Sequence, residues 1–381
     1  MLVRAAVVRE GGGSFTVEEF TLDPPRPDEV VVEVLAVGLC HTDIAVRERW
    51  MEFPLPAVLG HEGAGVVRHV GRSVTAVAPG DLVVMTFWHC GKCTYCRRGH
   101  PAYCVEGGVR TTHGARPDGT NALHGDGPVH GFFFSQSSFA THAIATERNV
   151  VKLAAGTDPV VAAPLACGVQ TGAGTVFNVL RPAVGSAMAV FGVGAVGLAA
   201  VMAGRLVGCA QIVAVDLDRD RLALATELGA THALHPSDDD VVGALKQISR
   251  GGVDYTIDTT GVPSVAAQAV DGLAKLGTCA LLGVGPADTR LPLDMNRLLR
   301  SGRIVRGVVE GDSQPAELIP LLSRLHRSGE FPVHRMISTY PLTDINQAVA
   351  DLRDGAVVKA VLEPWRSAGG AEAGGADKGL S

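Results

Sequence analysis

A short glycine-rich segment, FGVGAVG, most narrowly limits the fold of this chain of 381 residues. It has the spacing Gly192-x-Gly194-x-x-Gly197, follows the apolar run 187–191 and precedes a helix-like segment from about residue 196. Because glycine makes up 47 of the 381 residues, this spacing also arises by chance, and the strand and helix around it are what give it meaning. Strand, glycine turn and helix in this order predict a dinucleotide-binding unit in a parallel sheet.

The next strand-like segment, QIVAVD, ends at Asp216, nineteen residues after Gly197. A carboxylate at this place accepts hydrogen bonds from the adenosine ribose and repels a 2′-phosphate, so the sequence predicts NAD rather than NADP. The alternative is that Asp216 only ends a strand in a polar loop.

The rest of the chain divides into two textures. Residues before about 150 form short Val-, Gly- and Pro-rich runs between turn signals, which predicts a mostly β region. From about 160 to 310, strand-like and helix-like segments alternate, which is typical of a parallel sheet covered by helices. An amphipathic stretch and a strand-like run, AVVKAVLEP, follow. The last residues, 367–381, carry Gly, Ala and charge without apolar periodicity and are predicted to be a disordered tail.

Within the alternating region the apolar runs predict particular elements. The segment TCALLGVG is expected to be the last strand of the parallel sheet, leaving an apolar edge. The expected strands are 187–191, 211–216, 253–258 and 278–285, and the expected helices are 196–207, 219–228 and 263–274.

Composition and charge exclude several classes. The chain is 46% hydrophobic and 19% charged, with a net charge of -6, and its Lys and Arg residues are scattered, which argues against a nucleic-acid partner. The N-terminus lacks the apolar core of a secretory signal, so a reducing cytoplasmic location is expected, with free thiols rather than disulfides. Residues 182–204 are uncharged and long enough to cross a bilayer, but the glycine turn within them favours a buried strand and helix over a membrane span.

Four of the eight cysteines, Cys90, Cys93, Cys96 and Cys104, have the spacing C-x2-C-x2-C-x7-C. Four thiolates around Zn²⁺ form a closed tetrahedral site without room for substrate, so this loop predicts a structural zinc. An iron–sulfur cluster and a group of free thiols are the alternatives.

A second group of metal-binding residue types is spread along the chain. Cys40 lies in CHTD, His61 in GHEGAG, and Cys167 where the mostly β region meets the alternating one. Two thiolates and one imidazole make a zinc site whose fourth position stays open, as catalysis requires, whereas the alternative is core packing. Cys209 and Cys279 lie beside or within apolar strands and are interpreted as inert core thiols.

These motifs together resemble the zinc-dependent medium-chain alcohol dehydrogenases, up to about Pro364. The stretches GKCTYCRRGHPAYC, FFFSQSSFATHA and CGVQTGAGTVFNVL are most similar to the aryl or benzyl alcohol dehydrogenases. The resemblance implies a GroES-like catalytic domain of residues 1–168, completed by 309–366, with an inserted Rossmann NAD-binding domain of residues 169–308. The active site would lie in the cleft between them. A homodimer or homotetramer, pairing along TCALLGVG, is also implied.

The resemblance further implies a reversible hydride transfer from a primary, aryl or allylic alcohol to NAD. Thr42 would take the substrate proton, but Ala45 stands where a relay histidine is common in this family, so the outer proton route is unassigned. The implied residues are Cys40, His61 and Cys167 on the catalytic zinc, Glu62 behind it or as a transient ligand, Cys90, Cys93, Cys96 and Cys104 on the structural zinc, His41 and Lys359 at the pyrophosphate, Arg221 near the adenosine ribose, and Thr171 and Val284 at the nicotinamide.

Two alternatives remain open at this stage. One is a dehydrogenase of S-(hydroxymethyl)glutathione or another thiol adduct, for which Arg110 and Arg116 could supply cationic groups at the pocket mouth. The other is a protein that binds NAD and zinc without turnover. Phe87, Trp88 and the run 132–134 are expected either to line an aromatic substrate pocket or to pack in the core.

Overall fold

The computed structural model describes residues 1–286 and 288–367. The tail expected over 367–381 therefore lies, apart from Ser367, outside the described residues.

The first part of the chain builds antiparallel sheets with short helices between the strands. One sheet has the strand order β4-β1-β2-β7, and a second contains β3, β5, β6, β8 and β9. The elements are β1 (Leu2–Val8), β2 (Phe15–Leu22), β3 (Glu29–Gly38), α1 (His41–Arg47), β4 (Ala57–Val58), β5 (Gly63–Val70), β6 (Leu82–Met85), α2 (Thr94–Arg97), α3 (Gly107–Thr112), β7 (Leu123–His124), β8 (His142–Thr146) and β9 (Val150–Lys152).

The middle of the chain forms the parallel sheet, with helices between successive strands. Its strand order is β12-β11-β10-β13-β14-β15, so the direction of winding reverses beside β10. The elements are α4 (Pro159–Ala162), α5 (Gly168–Gly174) with a π-helical continuation (Thr175–Leu180), β10 (Ala187–Phe191), α6 (Ala195–Leu206), β11 (Gln211–Val215), α7 (Arg219–Leu228), β12 (His232–Leu234), α8 (Val241–Ile248), β13 (Val253–Asp258), α9 (Pro263–Asp271), β14 (Leu273–Leu281), α10 (Met295–Ser301) and β15 (Ile304–Gly307).

The predicted strands 187–191, 211–216 and 253–258 and the predicted helices 196–207 and 219–228 are confirmed to within one residue at each end. The expected helix 263–274 ends earlier, at Asp271, and the expected edge of the sheet is wrong. Only the first four residues of TCALLGVG, 278–281, lie in β14, and β15 pairs with them from Thr278↔Ile304 to Leu281↔Gly307. The edge strand on this side of the sheet is therefore β15, and β12 forms the opposite edge. Ile304 is 53% exposed there, and Met295 and Leu299 of the preceding helix are each 78% exposed.

The last part of the chain adds two strands to the sheet that contains β3. Its elements are α11 (Pro315–Arg327), β16 (Ile337–Pro341), α12 (Ile345–Arg353) and β17 (Lys359–Glu363). β17 pairs with β3 through Leu362↔Val37, so residues more than three hundred positions apart lie side by side next to Cys40. Val361 of β17 and Val190 of β10 are buried in the same apolar cluster, so this sheet and the parallel sheet share a hydrophobic core.

Within the described residues, no single helix has the length and apolar character needed to cross a bilayer; the bent pair Pro159–Ala166 and Gly168–Leu180 meets that test by length and composition alone.

Candidate active site

Three chain segments that are far apart in sequence converge on one cluster of metal-binding atoms. Cys40 caps the start of α1, His61 lies between β4 and β5, and Cys167 precedes α5. With Glu62, each offers a ligand atom within 4.8 Å of the others. His61 is 1% exposed, and its Nε2 is buried without a hydrogen-bond partner. A buried, unpartnered imidazole nitrogen beside two thiols fits a zinc ion.

Asp43, which sequence reasoning missed, holds this cluster in place. Its Oδ1 accepts hydrogen bonds from His61 Nδ1 at 3.0 Å and from the Gly60 amide at 3.1 Å, and its Oδ2 accepts from the Cys40 amide at 3.0 Å. The first of these bonds leaves Nε2 as the nitrogen that faces the two sulfurs. An aspartate at the third position of a helix normally signals a cap, which is why its second role is not visible in the sequence.

Glu62 lies behind the cluster in a buried ion pair. Its Oε2 lies 2.5 Å from Lys359 Nζ, and its Oε1 accepts from the Gly168 amide at 3.2 Å. Lys359 is 2% exposed and also donates to the Leu39 carbonyl at 3.0 Å. A Cβ at Gly38 would lie 1.9 Å from Glu62 Oε2, so only glycine fits beside this pair.

Close packing shifts the pKa values of the cluster residues in different directions. A hydrogen bond from Cys167 lowers the pKa of Cys40 well below its usual value, while the same contact and burial raise the pKa of Cys167. Burial lowers the pKa of His61, but the Asp43 carboxylate outweighs it and raises the pKa well above its ordinary range. A cation would stabilise the thiolates, as zinc sites require.

Thr42 lies beside the cluster, with its Oγ1 3.8 Å from Cys40 Sγ. Ala45 is buried in the same helix and offers no proton acceptor, so the structure gives no side chain for an outer relay at this position. The hydroxyl of Thr42 is thus the one protic side chain of CHTD that lies against a sulfur of the cluster.

The four-cysteine loop forms a second, separate cluster. Its four sulfur atoms lie within 4.8 Å of one another, around α2 and the short helix Pro101–Tyr103. Backbone amides donate to three of the sulfurs: Cys93 N to Cys90 at 3.3 Å, Cys96 N to Cys93 at 3.5 Å and Cys90 N to Cys104 at 3.2 Å. Such bonds lower the pKa of Cys93 to about 6, and none of the eight cysteines, all within the described residues, is in a disulfide. Four sulfurs in one enclosed cluster fit a structural zinc.

The glycine turn has the geometry that its spacing predicts. Gly192 has φ +82°, which favours glycine, and a Cβ at Gly197 would lie 2.0 Å from the Gly192 carbonyl oxygen. A Cβ at Gly194 would meet open space, so a ligand can approach the backbone there. Asp216 accepts from the Val193 amide at 2.7 Å and from the Asp218 amide at 2.9 Å. The carboxylate therefore lies beside the turn, and two of its acceptor positions remain for a ribose.

Two basic residues expected at the cofactor lie near this turn. Lys359 pairs with Glu62 and also lies close to the first turn of α6. Gly168 shows this, because a Cβ there would lie 3.9 Å from Lys359 Nζ and 3.8 Å from Val196 of that turn. Arg221 lies in the first turn of α7, and its buried Nε lies 3.6 Å from Asp218 Oδ2, which is an ion-pair contact but too long for a hydrogen bond. A guanidinium nitrogen without a hydrogen bond at this edge fits a polar ligand.

The remaining cofactor candidates are His41, Thr171 and Val284. His41 is exposed at the start of α1, and Val284 follows β14 with 66% of its surface exposed. The Thr171 hydroxyl donates to Glu310 Oε2 at 3.3 Å. Glu310 is a second residue that sequence reasoning missed. It also lies 3.4 Å from Cys167 Sγ, and burial raises its pKa to about 7.

The aromatic residues divide between the site and the core. Phe134 stacks on His61 with ring centroids 4.5 Å apart, and Phe133 meets the same ring edge-on at 5.6 Å. Phe133 is fully buried, and Phe87 and Phe132 are nearly so. Half-buried Phe134 and Trp88 are thus the aromatic side chains with surface left for a substrate.

Of the two arginines considered for a thiol-adduct substrate, one is committed to a buried ion pair. Arg116 is 3% exposed and binds both oxygens of buried Glu29 at 2.8 Å, as well as Asp23 at 2.8 Å. Arg110 packs over the Trp88 ring at 4.5 Å. Arg116 is therefore committed to a buried ion pair and is not free for a thiol-adduct substrate.

The chain matches two family models, an alcohol dehydrogenase GroES-like domain over residues 26–155 and a zinc-binding dehydrogenase over residues 195–326. It is 41% identical over 362 residues to a geraniol dehydrogenase of Castellaniella defragrans, covering 94% of this chain and 97% of that one. An alcohol dehydrogenase zinc-binding domain protein of Burkholderia ambifaria has a similar structure, with a TM-score of 0.93, 48% identity and coverage of 95% of this chain and 99% of that one. A benzyl alcohol dehydrogenase of Acinetobacter calcoaceticus is similar with a TM-score of 0.93, 42% identity and the same coverage of each chain.

Proposed function

The chain belongs to the zinc-dependent medium-chain alcohol dehydrogenases, which use a nicotinamide cofactor, and from this premise we propose that it interconverts primary aryl or allylic alcohols and their aldehydes with NAD. The observation that carries the substrate class is the stacking of Phe134 on His61. A flat aromatic wall against a metal ligand suits substrates with a π-system next to the reacting carbon. The relatives named for geraniol and benzyl alcohol, an allylic and an aryl alcohol, support the same class.

In this proposal Cys40, His61 and Cys167 hold the catalytic zinc, with Glu62 behind it. When bound, zinc supplies Lewis acidity at the substrate oxygen and the nicotinamide accepts the hydride. The Thr42 hydroxyl, beside Cys40, receives the substrate proton. Because Ala45 cannot carry this proton further, water completes its path to solvent. Cys90, Cys93, Cys96 and Cys104 hold the second zinc, which is structural.

The cofactor assignment rests on the edge that carries the glycine turn. Gly192, Gly194 and Gly197 let the pyrophosphate approach the start of α6, with His41 and Lys359 as its basic contacts. Asp216 takes the ribose hydroxyls with Arg221 nearby. Thr171 and Val284 flank the nicotinamide. A 2′-phosphate would face the Asp216 carboxylate, so NAD is preferred to NADP.

A homodimer that joins two β15 edges is part of the proposal. Exposed apolar side chains surround this edge, including Leu276 at 77% and Ile304 at 53%. An open, apolar edge strand is normally covered by a partner. All eight cysteines are free, and six of them are given to zinc, which further favours a reducing, cytoplasmic location.

The test is a substrate panel with metal-analysed protein. Benzyl alcohol, an allylic alcohol, a saturated alcohol of similar size and a glutathione–formaldehyde adduct are each tested with NAD and with NADP, and the reduced cofactor is followed by absorbance. We expect two zinc ions per chain and a kcat/KM for the benzyl and allylic alcohols at least about tenfold above that of the saturated one. Equal rates for all three alcohols would contradict the aromatic wall, and turnover confined to the glutathione–formaldehyde adduct would replace the proposed substrate class.

A further inference from the structure

Glu310 lies where the cofactor edge meets the zinc cluster, in a segment that follows the edge strand β15. Its Oε1 lies 3.4 Å from Cys167 Sγ, and its Oε2 accepts from Thr171 Oγ1 and Gln170 Nε2, each at 3.3 Å. Carboxyl ends of parallel strands share one edge of a sheet, so Glu310 lies on the same edge as the glycine turn and Val284. The side chain therefore faces the place that the proposed function gives to the nicotinamide ring.

The backbone of this segment is left-handed, a conformation that Glu310 disfavours. Glu310, Gly311 and Asp312 have φ of +48°, +65° and +47°, a region in which glycine or asparagine is usual and glutamate is not. Such strain persists where the surroundings over-determine it, and it is common at functional sites. A glutamate in this conformation points to a use for its side chain.

Contacts on both sides fix the segment against α5. A Cβ at Gly174 would lie 2.7 Å from the Gly311 carbonyl oxygen, so the two backbones touch. The Ser313 hydroxyl donates to Gln170 Oε1 at 2.9 Å, and buried Asp312 accepts from His100 at 2.8 Å. The Glu310 carboxylate is consequently held on a rigid support rather than on a free loop.

The groups that donate hydrogen bonds to this carboxylate are the Thr171 hydroxyl and the Gln170 carboxamide, both of them uncharged. The Cys167 sulfur, which the proposed function gives to zinc, lies beside its other oxygen. Among the described residues, no lysine, arginine or histidine forms an ion pair with Glu310. Its charge is therefore not cancelled by a direct contact, and a cation placed beside it would be stabilised.

We propose that Glu310 makes the site favour the oxidised over the reduced nicotinamide. The inference rests on the proposed function, because it takes the ring to lie against Thr171. The oxidised ring carries one positive charge. Addition of a hydride from the substrate carbon, with its electron pair, removes that charge, while the carbon becomes a carbonyl and the hydroxyl proton leaves. An adjacent carboxylate thus stabilises NAD⁺ more than NADH, by about tenfold for one partly buried charge.

The test compares binding of the two nucleotides to zinc-loaded protein, without substrate, at about pH 9, where carboxylates are ionised. Dissociation constants for NAD⁺ and NADH are measured by fluorescence titration for the wild type and for E310Q, which keeps the shape and removes the charge. We expect E310Q to raise the ratio of the NAD⁺ constant to the NADH constant by about tenfold. E310D, which keeps a carboxylate, should restore most of the preference.

E317Q is the matched control, because Glu317 is exposed on α11 and its loss should leave the ratio unchanged. E310M provides a second neutral variant if E310Q folds poorly, and zinc content is measured for each protein. An unchanged ratio in E310Q or E310M, or an equal weakening of both nucleotides, would overturn the inference while the proposed function stands. A wild type that binds neither nucleotide would overturn both.

Discussion

Replacing Asp43 by asparagine tests whether the catalytic cluster depends on a residue that touches no substrate. The Asp43 carboxylate is fully buried and accepts three hydrogen bonds, from the Cys40 amide, the Gly60 amide and His61 Nδ1. The carboxamide of the D43N variant would offer one acceptor oxygen instead of two. Its NH2 group must then face at least one of these N–H donors, so D43N breaks a bond to Cys40 or to His61 and Gly60.

The magnitude follows from what these bonds orient. Loss of a carboxylate that orients a metal-binding histidine typically weakens metal affinity by about 10- to 100-fold, or about 1.4–2.7 kcal/mol. One buried N–H left without an acceptor costs about 1–3 kcal/mol, which is the same range. We expect D43N to lose zinc from the catalytic cluster in this proportion, while the four-cysteine zinc stays bound. Competition with a chromogenic chelator, read together with metal content and turnover, measures both sites.

D118N is the control, because Asp118 is half-exposed and its bonds to Arg26 and Thr120 lie away from both clusters. Its two zinc ions should compete with the chelator as they do in the wild type. A D43N protein that keeps both zinc ions with the affinity seen in D118N would refute the argument, and so would equal loss from the two clusters.

Two further outcomes concern the buried Arg116 cluster. R116A leaves Glu29 buried without its bidentate partner and should lower the free energy of unfolding in urea by about 3–5 kcal/mol. R26A removes an exposed ion pair and should lower it by less than about 1 kcal/mol. Similar losses for the two variants would contradict the argument from the buried pair. Burial raises the pKa of Asp23, but hydrogen bonds led by that from Arg116 outweigh it and lower the pKa overall. The stability from this contact is therefore complete above the ordinary Asp value near 3.9 and is lost as the pH falls through the lowered value. In D23N the urea midpoint of unfolding should therefore fall less steeply as the pH is lowered through this range. The same pH dependence in D23N and the wild type would contradict this role of Asp23.

The sequence predicted the parallel sheet well because its signals are local. Each of the strands β10, β11 and β13 is an apolar run next to a turn, and α7 starts at an aspartate cap, so neighbouring residues carry the information. β15 was missed because four residues, mostly exposed, leave no such run. Its strand character comes from pairing with β14, which is a tertiary effect.

In the candidate site, the sequence predicted residues whose side-chain type alone indicates their chemistry, and it missed those whose role depends on their contacts. Cys40, His61 and Cys167 stand out because thiol and imidazole groups bind zinc, whatever their separation in sequence. Arg116 could not be interpreted in this way, since its partner Glu29 lies 87 positions away and an unpaired arginine looks the same in a sequence. Glu310 carries no motif, and its place beside Cys167 depends on a left-handed turn that only the structure shows.

Comparing E310A with E310G distinguishes the effect of the left-handed backbone from the effect of the carboxylate. Both variants lose the carboxylate and its hydrogen bonds to Thr171 and Gln170, so they should lose the preference for oxidised nicotinamide equally. They differ in the backbone: at φ +48° alanine keeps the left-handed penalty of about 1–2 kcal/mol, which glycine avoids, while glycine gains about 0.5–1 kcal/mol of unfolded-chain entropy. E310G should therefore be more stable than E310A by about 0.5–1 kcal/mol in urea denaturation. If E310A were the more stable variant, the segment would have relaxed to negative φ, and the carboxylate of Glu310 would not be held against the nicotinamide by strain.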